Sequence, residues 1–239
     1  MNKLIASNLS MSYSSANHKV EVLNDVSLPI PQGSCIGIIG SSGSGKTTLL
    51  QILAGLETPT QGSIFYNDIN LSENCLEKFN VMRNELFGYA YQFHYLLDDL
   101  TVYENCELVF RISNNKNYGD RTNRILDVLS DLGIADLRDS YPFMLSGGER
   151  QRAAIARAIV HRPNFVLMDE PTGNLDVKSG EEIMDLFKEL CKEGVSILMV
   201  THDPMLASKA DRMLLLKDGL TAASDIRSAW GTDSGVEGE

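Results

Sequence analysis

A glycine-rich run constrains the fold of this chain more than any other feature of the sequence. Gly40-Ser-Ser-Gly-Ser-Gly-Lys46-Thr47-Thr48 has the spacing Gly-x-x-x-x-Gly-Lys-[Ser/Thr] of a phosphate-binding loop. An apolar stretch, Ile36–Ile39, precedes it, and a predicted helix from Thr47 to Leu56 follows it. Since a buried strand, a glycine loop and a helix N-terminus together bind phosphate, the sequence predicts an α/β core around this loop.

The side chains of the loop have roles that follow from their chemistry. Glycines let successive backbone N–H groups turn towards one phosphate, because no Cβ stands in the way. Lys46 supplies a positive charge for the terminal phosphates, and the Thr47 hydroxyl is a candidate Mg²⁺ ligand. A flexible Gly/Ser-rich turn is the alternative interpretation of the loop taken alone. The predicted nucleotide-binding residues of the loop are Gly40, Ser41, Ser42, Gly43, Ser44, Gly45, Lys46, Thr47 and Thr48.

Two adjacent carboxylates end a second apolar run, Phe165-Val-Leu-Met-Asp169-Glu170. The C-terminal end of a strand is where an α/β sheet carries its chemistry. Asp169 is a candidate partner of Mg²⁺, and Glu170 a candidate base that orients the attacking water. Taken alone, the pair is equally compatible with a charged strand exit on the surface.

A capped helix begins at a third motif, Leu145-Ser-Gly-Gly-Glu-Arg-Gln151. Ser146 and Glu149 have the Ser-x-x-Glu spacing of a capping box. Capping does not require two consecutive glycines in the first turn, and each weakens the helix by up to ~1 kcal/mol. Gly147 and Gly148 therefore point to a second anion site, formed by exposed N–H groups at the helix N-terminus.

Periodicity predicts the remaining architecture. Short alternating runs within residues 3–39 and at Ser63–Tyr66 predict a small antiparallel sheet. Residues 72–135 are predicted to be mostly helical, and Phe165–Met168 and Val195–Val200 to be buried parallel strands. A predicted helix joins the last two runs, and this order is typical of a parallel sheet covered on both faces.

Composition argues against several classes of protein. Lys and Arg number 21 against 32 Asp and Glu, so the net charge of −11 disfavours a general nucleic-acid binder, and no nucleic-acid partner is expected. The four cysteines have no paired spacing, so neither a disulfide framework nor a cysteine metal site is expected. No apolar run reaches about 18 residues, so we expect no membrane span. A mobile acidic tail is expected over residues 222–239.

Taken together, these motifs resemble the ATP-binding-cassette (ABC) ATPases, whose signature sequence is similar to Leu145–Gln151. The resemblance implies an ABC ATPase domain over residues 3–221. It implies a P-loop NTPase core of the ABC ATPase type, with an antiparallel β subdomain and a helical signature subdomain at about 92–160. Four further positions match family motifs in chain order: Tyr13 the residue that stacks on adenine, Gln92 a metal ligand, Asp176 the dimer loop and His202 the switch histidine.

The resemblance also implies an assembly and a set of roles. Two chains would form a head-to-tail homodimer in which each ATP lies between the loop of one chain and the signature residues of the other. The implied signature residues are Ser146, Gly147, Gly148 and Glu149. The implied catalytic residues are Glu170 and His202, and the implied metal ligands are Thr47, Gln92 and Asp169.

A narrower resemblance lies in Tyr91-Gln-Phe-His-Tyr-Leu-Leu97, which is similar to the branch of lipoprotein-releasing, macrolide-exporter and cell-division ATPases. It implies an ATPase on the cytoplasmic face of the bacterial inner membrane, bound to integral-membrane transporter subunits. Lipoprotein release is the leading interpretation, with a mechanotransmission ATPase and a soluble repair or translation ATPase as alternatives. A locally packed apolar turn is the alternative to docking for this segment. The predicted docking residues are Phe93, His94, Tyr95, Leu96 and Leu97.

Overall fold

The computed structural model describes residues 3–15, 18–71, 82–92, 94–113, 119–217 and 219–221. Phe93 and the predicted tail over 222–239 lie outside these residues. The strands in chain order are β1 (Lys3–Ser15), β2 (His18–Pro31), β3 (Cys35–Ile39), β4 (Gln61–Tyr66), β5 (Ile69–Asn70), β6 (Phe87–Ala90), β7 (Phe165–Asp169), β8 (Ser196–Thr201), β9 (Arg212–Lys217) and β10 (Leu220–Thr221). The helices whose bounds lie wholly within these residues are α1 (Lys46–Leu53), α2 (Val102–Ile112), α3 (Arg121–Asp131), α4 (Gly147–Ile159), α5 (Val177–Lys192) and α6 (Pro204–Ala207), with two single 3₁₀ turns at Ala135–Leu137 and Pro142–Met144. Residues 82–86 are also helical.

Two sheets organise the described residues. One is antiparallel, in the order β2-β1-β4-β5, and the other has the order β10-β9-β3-β8-β7-β6. Strands β9, β3, β8, β7 and β6 are mutually parallel where they pair, whereas β10 returns antiparallel to β9. An antiparallel sheet beside a parallel sheet with helices confirms the predicted α/β fold class.

Strand β7 shows why a strand of the parallel sheet has a continuous apolar sequence. Phe165 and Leu167 pack in the cluster formed with α1 and the antiparallel sheet. Val166 and Met168 point the other way, into the cluster formed with α2, α3, α4 and α5. Because both faces of the strand are covered, every side chain of β7 is buried. The prediction of a parallel sheet covered on both faces is confirmed.

The strand order brings four distant parts of the sequence to one edge. Strands β3, β8, β7 and β6 lie side by side and run in the same direction, so their C-terminal ends meet at the same edge. The glycine loop follows β3, His202 follows β8, Asp169 ends β7 and Gln92 lies just beyond β6. The fold thus collects the sequence motifs at the edge where parallel sheets carry their ligands.

Two elements differ from the expectation. Residues 72–135 were expected to be mostly helical, but β6 lies within that range and pairs with β7. Strand β6 has four residues and no β-branched side chain, so its pattern could not be separated from a helix. The first helix ends at Leu53 and not at Leu56, because Gly55 takes a left-handed conformation with φ 65°.

Candidate nucleotide-binding site

The glycine loop has a backbone that residues with a Cβ rarely adopt. Gly43 and Gly45 have φ values of 78° and 97°, and Gly45 is the residue from which α1 begins. At Gly43 an added Cβ would meet no atom within 4 Å. The loop therefore presents open backbone at the N-terminus of a helix, which is where the helix dipole favours an anion.

A cavity of about 470 Å³ lies in front of this loop. Most of the loop lines it, together with four of the side chains that were singled out in the sequence. The strand-end residues that line it are Gln92, Asp169, Glu170 and His202. Within the loop, Ser44 is buried and Ser41 does not line the cavity. Tyr13 does not line it either, and its side chain is exposed on β1.

Lys46 turns back over the loop. Its ammonium donates hydrogen bonds to the carbonyl oxygens of Gly40 and Ser41, both at 2.8 Å. Partial burial lowers the pKa of Lys46, while the negative charges of Glu170 and Asp169 act in the opposite direction. The lysine is thus held over the loop by neutral carbonyl groups.

Asp169 and Thr47 join the ends of β7 and α1. The Thr47 hydroxyl donates to Asp169 Oδ2 at 2.9 Å. Burial raises the pKa of Asp169 above its usual range, and the hydrogen bond from Thr47 opposes that shift. A carboxylate and a hydroxyl in contact beside a phosphate loop offer the hard oxygen ligands that Mg²⁺ takes.

Glu170 lies immediately beyond β7 in a conformation that is unusual for a residue with a side chain. Its φ is 52°, and its backbone N–H donates to the carbonyl of Val200 on the neighbouring strand at 3.0 Å. The carboxylate contacts His202, with Oε1 at 2.9 Å from Nδ1. Side-chain exposure differs sharply across the pair, since Glu170 is largely buried and His202 is mostly exposed. The backbone therefore aims a fixed carboxylate into the cavity.

The signature residues lie at the start of α4 and do not line this cavity. Glu149 accepts hydrogen bonds from the backbone N–H and the hydroxyl of Ser146, at 2.7 and 2.8 Å. Ser146 Oγ accepts in turn from the N–H of Glu149 at 3.3 Å, which completes the predicted capping box. A Cβ added at Gly147 or Gly148 would approach the loop that contains Asn174.

The predicted dimer loop is held by its own cap. Asp176 is the N-cap of α5 and accepts from the backbone N–H and the hydroxyl of Ser179, at 3.0 and 2.8 Å. These hydrogen bonds lower the pKa of Asp176. The loop before α5 therefore has a defined conformation beside the start of α4.

Comparison with protein families identifies the chain. A family model described as ABC transporter matches residues 23–173, which include the glycine loop, the start of α4 and the end of β7. The chain belongs to the ABC transporter family. With the fold and the cavity described above, it is an ATP-hydrolysing cassette of that family.

Relatives of this cassette extend over nearly the whole chain. An uncharacterized ABC transporter ATP-binding protein of Bacillus subtilis (strain 168), YvrO, is 41% identical over 216 residues, which cover 90% of this chain and 94% of YvrO. The dimeric structure of MJ0796, a bacterial ABC transporter cassette, superposes with a TM-score of 0.87 at 34% identity, covering 95% of this chain and 99% of that one. A second dimeric structure of MJ0796, a post-hydrolysis state bound to ADP and Pi, superposes with a TM-score of 0.87 at 33% identity, again covering 95% of this chain and 99% of that one.

Part of the predicted docking segment of the cassette is exposed. Tyr95 and Leu97 are 61% and 47% exposed, whereas Leu96 packs against the core formed with α2–α5. His94 and Tyr95 both have positive φ values, 65° and 44°. The loop therefore presents two large apolar side chains on a backbone that its surroundings must hold.

Sequence reasoning missed two residues that contribute to this arrangement in the cassette. Val22 of β2 lines the cavity, and its carbonyl oxygen would lie only 2.7 Å from a Cβ added at Gly45. Arg157 of α4 donates hydrogen bonds to the docking segment. The alternation in Lys19–Leu23 predicted a strand, but it did not predict that this strand would pack beside the glycine loop. In sequence, Arg157 is a basic residue in the last turn of α4, a position that also suits a cation interacting with the helix dipole.

Within the described residues, none of the helices is both long enough and apolar enough to cross a membrane.

Proposed function

We propose that this cassette is the ATPase subunit of a complex that releases lipoproteins from the bacterial inner membrane, bound at its cytoplasmic face. The observation that carries the proposal is the exposed pair Tyr95 and Leu97, in a segment whose sequence is similar to lipoprotein-releasing ATPases. Leaving large apolar side chains in water costs roughly 1.5–3 kcal/mol each relative to burial. A short helix of an integral-membrane transporter subunit is the proposed occupant of this surface.

The residues of the cavity fit ATP with Mg²⁺. Lys46 would exchange its hydrogen bonds to loop carbonyls for phosphate oxygens, and the N–H groups of the loop would add further donors. Thr47 and Asp169 would hold Mg²⁺, with Gln92 as an additional ligand from the same cavity. Burial raises the pKa of Asp169, and a cation beside it would favour the charged carboxylate. When bound, Mg²⁺ would supply positive charge that offsets the negative charge of the phosphates.

Glu170 is the proposed base for the attacking water. Its carboxylate faces the cavity from the end of a rigid strand, and His202 contacts it at 2.9 Å. A carboxylate held in this way orients a water molecule and accepts its proton as the water oxygen bonds to the γ-phosphorus, while the bond from that phosphorus to the bridging oxygen breaks and ADP leaves with the oxygen. His202 would keep the carboxylate oriented and would contribute a hydrogen bond to the terminal phosphate.

A second copy of the chain would complete the site. The signature residues Ser146 to Glu149 do not line the cavity of their own chain, although the helix start at which they lie suits an anion. MJ0796 is a dimer in the structure that this cassette resembles. In the proposed head-to-tail homodimer, Ser146 and Gly148 of one copy would contact the ATP held by the loop of the other.

Purification from the native membrane tests the proposed partner. The tagged chain should bring down integral-membrane subunits, which mass spectrometry would identify. The double variant Tyr95→Ser/Leu97→Ser should lose them while its own ATP hydrolysis stays close to wild type, because neither residue lines the nucleotide cavity. Leu56→Ser/Ile69→Ser, at similarly exposed positions elsewhere, is the matched control and should retain the subunits.

Reconstitution of the purified complex separates the remaining functions. ATP-dependent release of a lipoprotein from proteoliposomes would support the proposal. Assembly with membrane subunits but no release would favour a mechanotransmission ATPase of the macrolide-exporter or cell-division type. Purification without any membrane subunit would favour a soluble ATPase and contradict the proposed docking surface.

A further inference from the structure

Arg157 ties the signature helix to the proposed docking loop, which we define as residues 94–97. From its position in α4, its Nη1 donates to the carbonyl of Tyr95 at 2.6 Å and its Nη2 donates to the carbonyl of His94 at 2.8 Å. Burial lowers the pKa of Arg157. Among the described residues, no carboxylate lies within ion-pair distance of this guanidinium. A partly buried charge is thus directed at two backbone carbonyls of another segment.

Those two carbonyls belong to residues of the docking loop whose backbone conformation is unfavourable. His94 and Tyr95 have φ values of 65° and 44°, and residues other than glycine seldom adopt such values. Such conformations persist only where neighbouring groups hold them. Because the fork of Arg157 contacts both carbonyls at once, it holds the backbone from which the exposed Tyr95 side chain projects.

The other contacts of the docking loop explain why it would follow the protein around it. At its far end, buried Asn105 accepts from the N–H of Leu97 and donates to its carbonyl, at 2.9 and 3.1 Å. At its near end, the His94 ring contacts Asn174 at 3.4 Å, and Asn174 lies beside Gly147 at the start of α4. The loop is therefore attached to α2 through Asn105 and to the segment at Asn174, in addition to its contact with α4 through Arg157.

We propose that Arg157 is a positioning residue that couples the signature end of α4 to the docking loop. Ser146 caps the helix and Arg157 lies three turns further along it, so a rigid rod of about 16 Å separates the two. A shift of α4 when the signature residues engage ATP would move the carbonyls of His94 and Tyr95, and with them the apolar surface offered to the membrane subunit. The inference rests on the proposed homodimer and docking surface.

A tryptophan reporter in the docking loop tests this coupling without a membrane subunit. The chain has one tryptophan, Trp230, so Trp230→Phe with Tyr95→Trp gives a single emitter at position 95, next to Tyr91. Adding Glu170→Gln slows hydrolysis, so that ATP holds the dimer. With Arg157 present, Mg-ATP should shift the emission of the reporter. With Arg157→Met, dimer formation by light scattering should persist while the emission shift falls at least twofold.

Several outcomes would overturn the inference. An equal emission shift in the Arg157→Met protein would show that the loop follows the dimer without this residue. If Arg157→Met fails to fold, Arg157→Lys provides the same comparison, since one nitrogen cannot reproduce the fork, and an equal shift there would again refute the coupling. An ATP-dependent dimer with no emission shift in the Arg157 protein would refute the coupling alone. No ATP-dependent dimer would refute both the coupling and the proposed assembly.

Discussion

His161 is a buried histidine outside the nucleotide site. Its Nε2 lies 3.3 Å from the carbonyl of Phe87, and its Nδ1 has no hydrogen-bond partner within the described residues. Burial disfavours the imidazolium and lowers the pKa of His161 to about 4. In the unfolded chain the same ring would titrate near its usual value of about 6.5.

Because His161 is buried with a lowered pKa, we expect the protein to lose stability in mild acid. Between about pH 6.5 and pH 4 the unfolded chain binds a proton that the folded chain does not, so the free energy of unfolding falls as the pH falls through that window. The full effect is on the order of 3 kcal/mol, reached below the folded pKa. Urea unfolding at a series of pH values would measure it. His161→Gln should be less stable at pH 7 but should show a shallower slope; an unchanged slope would contradict this origin.

At the scale of single residues, the sequence allowed prediction of candidate site residues where they belong to a short motif with fixed spacing. The glycine loop, Asp169, Glu170 and His202 line one cavity, and their relation follows from strand ends that the sequence also indicated. Arg157 could not be predicted in this way, because its partners are backbone carbonyls about sixty residues earlier. Backbone acceptors have no residue type, so a sequence carries no trace of which of them a side chain will meet.

Strand β6 and helix α4 pack so closely that one glycine decides their contact. A Cβ on Gly88 would collide with the carbonyl of Ala158, which is backbone and cannot move without bending the helix. Gly88→Ala should therefore destabilise the fold by about 1–3 kcal/mol, as overpacking does. Thermal and denaturant unfolding of the purified variant would measure the loss.

Gly180→Ala is the matched control for that substitution. Gly180 is also buried, but it lies in α5, and its added Cβ would be 3.8 Å from Thr172, an ordinary contact. Its φ is compatible with alanine, so the change should stabilise the protein by about 0.4–1 kcal/mol. Equal effects of the two substitutions would contradict the close packing of β6 against α4.

At the scale of elements, periodicity succeeded where an element was long or fully buried. Helices α4 and α5 and strands β3, β7 and β8 follow from apolar patterns with clear ends. Strand β6 was missed, since four residues with a glycine have too short a pattern. What defines it is its pairing with β7, and that contact lies almost eighty residues along the chain.

Glu170→Gln tests the proposed assembly of the whole molecule. The amide keeps the shape of the side chain but cannot accept a proton, so hydrolysis should fall by ~10²-fold or more. Because the binding groups remain, Mg-ATP should hold two chains together, and size-exclusion chromatography with light scattering would detect the dimer. A variant that stays monomeric with ATP at every protein concentration, or hydrolyses normally, would contradict the role proposed for Glu170.

At the scale of the whole molecule, the family and the fold could be predicted from motifs in a fixed order, whereas the transported substrate could not. The motifs that identify the family are those of ATP hydrolysis, and they carry no information about the transported substrate. The match to the ABC transporter family covers residues 23–173. Under the proposed function, the feature that distinguishes one transporter from another is the surface around Tyr95 and Leu97, which would contact a second protein. A surface of that kind is specified by two sequences, and one of them is absent from this chain.

The edge shared by β3, β8, β7 and β6 has a consequence for how the protein is made. A ribosome releases the glycine loop long before β8 and His202 emerge, yet β8 lies between β3 and β7 in the finished sheet. Until β8 inserts, the loop and the Asp169–Glu170 pair have no strand to hold them side by side. A growing chain therefore exposes the phosphate loop before the carboxylates proposed to act on the phosphate are held beside it, and the proposed site assembles only once β8 has been made.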